Sequence, residues 1–267
     1  MKSIITQKKI KVVKKTTDKI CSFLPKPVIY KSQNYRISTT ATGKNVKIAL
    51  IDSGCPIHKD IRIQGESTSF CKNNKNTTDK TGHATMMAGI INANNKKSII
   101  GLAPHAKLYC AKVVDEENNC SFNALLAAVL WSIAKKVDII VLALGTQFDY
   151  TIFHDAVKKA YDENICIFAA AGNSLNGTVN CIDFPAQYPQ VCSVGNMKKT
   201  GKIKIKEKVN IPLDYKKYYT TYLNNKYIQM SGSSAATAIV ASLAALIIEK
   251  KKSNPKTVYS ELLKTIN

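Results

Sequence analysis

Three residues of this chain have the types, the spacing and the local company that nucleophilic catalysis needs. Ser234 stands in Gly232-Ser233-Ser234-Ala235-Ala236-Thr237, where a glycine-flanked turn runs into a long apolar helical pattern. At the start of a helix its backbone N–H has no helical carbonyl to bond and points, with the positive end of the dipole, at any oxyanion that develops beside it. His83 follows Gly82 and opens another helical pattern, so it is placed to accept the serine proton and return it to a leaving amine. Asp52 closes the apolar run Val46-Lys47-Ile48-Ala49-Leu50-Ile51 and can hold the other ring nitrogen while stabilising the imidazolium. Asn173 ends Ile167-Phe168-Ala169-Ala170-Ala171-Gly172 and supplies a side-chain donor to complete an oxyanion hole with the Ser234 N–H. Acid, base, nucleophile and amide together predict acyl transfer.

These groups lie far apart in sequence, so a scaffold must bring three loops together. Short strand-like runs at 46–51, 107–114, 138–144, 165–170 and 191–195 alternate with helical patterns at 83–93, 121–136 and 151–162. The pattern from Ser121 is the clearest, with Phe122, Leu125, Leu126, Val129, Leu130 and Ile133 on one face behind a serine N-cap. Alternation of this kind predicts an α/β fold, a mostly parallel sheet flanked by helices on both faces, with ligands bound at the carboxyl ends of the strands. Asp52, Gly145 and Asn173 all fall at such ends. Residues 1–40 read as a basic N-terminal extension and 41–267 as one domain. Residues 198–230, rich in lysine and tyrosine, read as surface strands and loops.

Composition narrows the function classes. A chain of 267 residues that is 45% hydrophobic can bury one large core. The net charge of +21 is carried almost wholly by lysine, Arg36 and Arg62 being the only arginines, and no aromatics are interleaved to form a nucleic-acid reader. Neither nucleic acid nor a membrane is expected as a partner. The lysine excess would attract an acidic substrate. Eight cysteines without a CxxC pair or Cys/His metal spacing suit a reducing compartment. Lysines interrupt residues 1–24, so no signal-peptide core can be drawn there, and a cytoplasmic protein is expected. His58, His105 and His154 read as ordinary surface or loop residues.

The chain resembles the subtilisin-like serine peptidases, in character the bacterial intracellular subtilisins and the leader peptidases of modified antimicrobial peptides. The resemblance rests on Ile48-Ala49-Leu50-Ile51-Asp52-Ser53-Gly54-Cys55, Gly82-His83-Ala84-Thr85 with Ala88-Gly89, Gly101-Leu102-Ala103-Pro104, Ala106-Lys107-Leu108-Tyr109, Ala169-Ala170-Ala171-Gly172-Asn173-Ser174, Pro185-Ala186-Gln187-Tyr188-Pro189 and Ser231-Gly232-Ser233-Ser234, in the family's order and over roughly residues 44–250. It implies a three-layer fold and a serine endopeptidase with an Asp52/His83/Ser234 triad and Asn173 in the oxyanion hole. Its substrate is a peptide or unfolded protein, either general intracellular protein or a peptide precursor. Ala143, Leu144 and Gly145 would bind substrate backbone, and Ala170, Gly172 and Asp183 would border the pocket for the residue before the cut. Asp183 falls where many relatives have glycine at the pocket floor, and a carboxylate there would favour Arg or Lys; the other reading of Asp183 is a solvated loop residue.

The resemblance also implies a structural calcium held by Asp60, Asn95 and the carbonyls of Lys97 and Ile99, although the chemistry itself needs no metal or organic cofactor. A full folding prodomain does not fit into the residues before Asp52. A segment near residues 24–30 either blocks the cleft or is a loose arm packed on the domain. The family usually has Gly and His where this chain has Ala84 and Met86, Thr and Pro where it has Ser233 and Ala238, and Ser at Ala143. Ala84, Ala143 and Ala238 motivate a rival reading, a catalytically silent peptide-binding or regulatory module on the same fold.

Overall fold

The computed structural model describes residues 10–11, 20–35, 37, 39–72, 74–172, 182–197, 209–214 and 216–266. Among them seven strands form one sheet in which every neighbouring pair runs parallel. Their order is Ile211–Asp214, Cys192–Met197, Cys166–Ala170, Ile139–Leu142, Lys47–Asp52, Lys107–Lys112 and Ser67–Ser69. Five α-helices accompany it: α1 His83–Asn92, α2 Phe122–Ala134, α3 Thr151–Asp162, α4 Ser233–Lys250 and α5 Pro255–Ile266.

Alternation along the strands sorts the interior into two cores. Ile48, Leu50, Ile139, Val141, Cys166 and Phe168 pack with α1, α4 and α5, whereas Ala49, Ile51, Ile140, Leu142, Ile167 and Ala169 pack with α2 and α3. Both faces are covered, which is why these strands read as unbroken apolar runs rather than alternating ones. The expected three layers are therefore the observed ones. Helix α4 is long and apolar enough to cross a bilayer, yet 83% of it is buried in the fold, where it serves as the core helix under the sheet.

Local signals hold with small shifts. The Ser121 hydroxyl caps α2 by accepting the Ala124 N–H at 3.2 Å. Leu130, counted into the apolar stripe of α2, instead faces out at 44% exposed. The surface reading of residues 198–230 needs correction where they are described. Ile211–Asp214 is an edge strand of the main sheet, and the antiparallel pair Tyr218–Tyr222 and Lys226–Met230 packs against α1. Thr220 and Thr221 donate their hydroxyls to the Met86 and Thr85 carbonyls at 2.6 and 2.7 Å. A Cβ on Gly89 would collide with those two hydroxyls, so the Gly of Ala88-Gly89 is a packing requirement.

The N-terminal extension is docked on the domain where it is described. Val28–Ile29 pairs parallel with Ile99–Ile100, Cys21 exchanges backbone hydrogen bonds with Tyr227, and the Tyr30 hydroxyl donates to the Tyr219 carbonyl. Ile10–Lys11 pairs antiparallel with Asn119–Cys120.

Candidate active site

Asp52 is the last residue of its strand, and its carbonyl accepts the N–H groups of Val113 and Val114 at 2.9 and 3.3 Å. Its side chain is 2% exposed, and both carboxylate oxygens lie 2.8 Å from Nδ1 of His83. That bond fixes the tautomer: Nδ1 carries the proton and donates it to Asp52, which leaves Nε2 with the lone pair that a base needs.

His83 begins α1 behind Gly82, whose φ of 87° lies in the left-handed region and whose missing Cβ makes room for the Tyr222 ring. The helix start is held by a residue that sequence reasoning did not single out, Asp79, which is 2% exposed. Its Oδ1 accepts the N–H groups of Thr81 and Gly82 at 3.0 and 2.8 Å and the Ser53 hydroxyl at 2.9 Å. Its Oδ2 accepts both the N–H and the hydroxyl of Thr85 at 2.8 and 2.6 Å. Ser53 in turn accepts the Ala84 N–H at 2.9 Å, so the loop after Asp52 and the helix that carries His83 are tied through one buried carboxylate. The signal for it was present: an acid four residues before His83, at the anionic-preferring end of a helix.

Ser234 is the second residue of α4, so its N–H lies among the first four that the helix leaves without an internal acceptor. Its hydroxyl donates to the Ala143 carbonyl at 3.0 Å. The nucleophile thus rests on the backbone that follows the strand Ile139–Leu142, and attack requires that its proton be handed to Nε2 of His83 instead.

Ala143, Leu144 and Gly145 leave one strand end, and Ala170 closes the neighbouring one before Gly172, whose φ is 101°. The segment bearing Asp183 is clamped between them: Asp183 donates its N–H to the Ala171 carbonyl at 3.2 Å, and Phe184 and Thr146 exchange backbone hydrogen bonds at 2.7 and 2.9 Å. Asn173 lies outside the described residues. A pocket beside the Asp52–His83 pair is lined by Asp52, Ser53, Thr81, His83, Val114, Asn118 and Leu144, of which Val114 and Asn118 went unnoticed in the sequence. The same loop continues into a cavity of about 330 Å3 walled by Asp115, Glu116, Glu117, Asn119 and Lys72. The departures Ala84, Met86, Ser233 and Ala238 are all buried, and none of them replaces a reacting group. Val28 and Tyr30 bond Ser98, Ile100 and Tyr219, none of which lines the pocket beside Asp52 and His83, whereas Ile10–Lys11 pairs with Asn119–Cys120, next to Asn118 in that lining.

The residues named for calcium do not fit one. Asp60 is 3% exposed, and its carboxylate already accepts the Asn95 amide at 2.7 Å and the Ser98 and Tyr227 hydroxyls at 2.6 Å each. The Asn95 side-chain oxygen is turned to the Lys97 N–H, and the Ile99 carbonyl accepts the Asn95 N–H. Burial pushes the Asp60 carboxyl up, but the bonds from Ser98, Tyr227 and Asn95 outweigh it and hold the group below the usual carboxylate range. No cluster of His, Cys, Asp or Glu fit to hold a metal is found among the described residues. His58, expected at the surface, is 6% exposed, accepts the Asp60 N–H at Nδ1, and is shifted down by that burial.

Comparison with known proteins places this geometry. The model of the subtilase family, peptidase S8, matches residues 43–266. Over 216 residues the chain is 37% identical to the minor extracellular protease Epr of Bacillus subtilis, covering 78% of this chain and 33% of that protein. Over 215 residues it is 34% identical to subtilisin DY of Bacillus licheniformis, covering 78% of each. Over 230 residues it is 31% identical to a thermostable alkaline protease of Halalkalibacterium halodurans, covering 84% of this chain and 62% of that one. The chain therefore spans a third to four fifths of the relatives it matches.

Proposed function

The chain belongs to the subtilase family of serine endopeptidases, and from that premise we propose that it hydrolyses internal bonds of extended polypeptide through an acyl-enzyme on Ser234. The observation that carries this reading is the assembled constellation: Asp52 on His83 Nδ1 at 2.8 Å from both oxygens, and Ser234 at the head of α4 beside the strand-end backbone of Ala143.

The chemistry follows from those positions. His83 Nε2 takes the Ser234 proton as Oγ attacks the carbonyl carbon, and Asp52 stays ionised to hold the imidazolium. The developing oxyanion meets the Ser234 N–H at the positive end of α4, and the Asn173 amide is the second donor in this proposal. His83 then protonates the leaving amine, and water, deprotonated by the same nitrogen, releases the acyl group. Calcium enters none of these steps, and the Asp60 cluster is proposed to be a metal-free substitute for a cation.

Substrate is proposed to lie as an added strand between the Asn119–Cys120 edge and the backbone of Ala143, Leu144 and Gly145. The antiparallel seat of Ile10–Lys11 on that edge supports this, because it demonstrates that the edge accepts an extended chain. Asp115, Glu116 and Glu117 beside it would repel an acidic precursor at the cleft, so attraction of such a precursor falls to the lysine-rich outer surface. A cytoplasmic setting is supported by seven free cysteines among the described residues. Dedicated processing of a precursor and general turnover both fit a cleft of this kind.

The test is labelling of the full chain by a fluorophosphonate, with Ser234→Ala as control. Labelling lost in the variant, together with peptide hydrolysis that falls on the order of 10⁶-fold, the scale set by subtilisin's own triad, supports the proposal. Peptide binding without labelling or turnover would establish the silent module instead.

A further inference from the structure

Two free thiols meet beside the loop that carries Asp52. Cys55 follows Asp52-Ser53-Gly54 and is partly exposed, whereas Cys110 lies within the strand Lys107–Lys112 and is wholly buried. Ser67 and Cys110 stand opposite each other on neighbouring parallel strands, so their side chains leave the sheet on one face. The Ser67 hydroxyl donates to the Cys55 sulfur at 3.2 Å, and the Cys110 thiol donates to the same sulfur. One accessible sulfur therefore accepts two donors, and one of the donors is a second thiol.

Those donors divide the roles between the two sulfurs. The bond from Cys110, helped by that from Ser67, outweighs burial and the charge of Asp79 and draws the Cys55 thiol down to about 7, so much of it is thiolate at neutral pH. The same bond pushes Cys110 up and keeps its proton in place, while burial pushes up Cys71, Cys120, Cys166 and Cys192. A reachable thiolate against a protonated thiol is the pairing in which one sulfur is oxidised and the other closes on it. The pair also touches the frame of the active site. The Cys55 N–H donates to the Thr77 carbonyl at 2.6 Å, and the Cys55 carbonyl accepts the N–H of Asp79 at 2.9 Å. Asp79 holds the start of α1, so a displacement of Cys55 reaches His83 through a single residue.

We propose that Cys55 is an oxidation site for hydrogen peroxide and that Cys110 converts the product into a Cys55–Cys110 disulfide, which reversibly silences the peptidase; the silencing rests on the peptidase reading above. In the first step the Cys55 thiolate attacks one peroxide oxygen. An S–O bond forms, the O–O bond breaks, and hydroxide leaves to be protonated to water, so the sulfur becomes a sulfenic acid as the peroxide is reduced. In the second step the Cys110 sulfur attacks the Cys55 sulfur. The S–S bond forms, the S–O bond breaks, and the departing hydroxide takes the Cys110 proton as water. Two thiols have then lost two hydrogens, and one peroxide has become two waters.

The closing bond draws the sulfurs from contact to bonding distance, and the two sides do not yield equally. Cys110 is held by paired strands on both flanks, Lys47–Asp52 and Ser67–Ser69, whereas Cys55 sits in a loop. Cys55 therefore moves, and its carbonyl shifts the Asp79 backbone away from the register that sets His83 against Asp52.

The linkage is mapped in full-length Ser234→Ala, which cannot digest itself and whose thiols owe nothing to the peptidase reading. After equimolar hydrogen peroxide and blocking of the remaining thiols, peptide mass spectrometry should show Cys55 joined to Cys110. Cys110→Ala in the same background should instead leave a sulfenic acid on Cys55 that dimedone captures. Activity is read in the full chain with Ser234 intact, on a short peptide. Oxidation is expected to lower kcat on the order of 10²-fold with little change in KM, and a dithiol reductant to restore it. Cys55→Ser should keep its kcat under the same peroxide, and Cys110→Ala most of it, because no bond then draws the loop. Absence of the joined peptide, or a linkage that leaves kcat unaltered, overturns the inference. An equal loss in Cys55→Ser overturns it too, because the damage then lies at other sulfurs. A reduced chain that neither labels with the fluorophosphonate nor cleaves overturns the peptidase reading and the silencing with it, while the linkage map decides the thiol site by itself.

Discussion

Asp79 and Asp183 are both acids set close to the reacting residues, and the fold treats them in opposite ways. Asp79 takes six hydrogen bonds at the start of α1 and is sealed from solvent, so its charge is spent on holding His83, Ser53 and Thr85 in one arrangement. Asp183 sits between Gly145 and Gly172 on a backbone held by hydrogen bonds to Ala171 and Thr146, and among the described residues no donor to its carboxylate is found. A saturated acid can gain nothing from a ligand; an unsatisfied one can. The difference separates an acid that must hold the site still during catalysis from one to whose carboxylate no described neighbour is tied. Asp60 repeats the first pattern elsewhere, with three donors closing a carboxylate that family resemblance would give to calcium.

The largest effect should come from Asp79→Ala, which strips one charged acceptor from six donors. We expect a loss of about 3 kcal/mol or more in stability, read by urea unfolding. Because His83 loses its register with Asp52, kcat should fall far more than KM rises, and Asp79→Asn should recover part of it. If Asp79→Ala kept both stability and kcat, the claim that saturation means rigidity would fail.

Tyr227→Phe tests the same idea away from the catalytic residues. It removes one of two hydroxyls on an Asp60 oxygen and leaves a buried anion short of a donor, for an expected cost of about 1–2 kcal/mol. A chelator such as EDTA should leave the melting temperature of the wild-type chain unaltered, since the donors are protein groups. A melting temperature that rises with added calcium, in wild type or variant, would instead make the cluster a metal site.

How far these features were legible in sequence differs residue by residue. Asp52, His83 and Ser234 could be read because each stands beside a glycine where a strand ends or a helix begins, a local pattern that burial of the strands reinforces. The parallel sheet followed from runs such as Ile139–Leu142, which are apolar at every position because both faces are covered. Asp79 was not read because the polar stretch before Gly82 has no periodicity, and its role appears only when Ser53, 26 residues earlier, is brought to it. The fate of Asp60 depends on Tyr227, 167 residues away, and no local pattern reports such a contact. The strand pair Tyr218–Tyr222 and Lys226–Met230 was misread as surface because its lysines and tyrosines hide buried positions such as Thr220 and Thr221.

Removing residues 1–19 should sharpen the contrast from the substrate's side. Ile10–Lys11 holds the Asn119–Cys120 edge through short strand pairing, so its loss frees hydrogen-bonding groups that an incoming chain can use. We expect kcat/KM on long peptides to rise by up to about tenfold, mostly through KM, with little change on substrates too short to reach the edge. An equal gain on the shortest substrates would show that the segment acts elsewhere.

The smallest effect concerns stability, and it follows from Asp183, for whose carboxylate no donor is found among the described residues. Its carboxyl is held above the usual range by burial, so the folded chain binds that proton more tightly than the unfolded one. Below the ordinary carboxylate range both states are protonated, and the group costs nothing. As pH climbs through that range and then through the raised folded value, the unfolded chain ionises first and stability is lost. Asp183→Asn escapes this loss. Its melting temperature should match the wild type in acid and exceed it by about 1–2 °C at neutral pH, a modest shift because the group is only half-buried. A variant less stable at neutral pH would mean that the carboxylate is already satisfied. Asp183 would then stand with Asp79 and Asp60 as a structural acid.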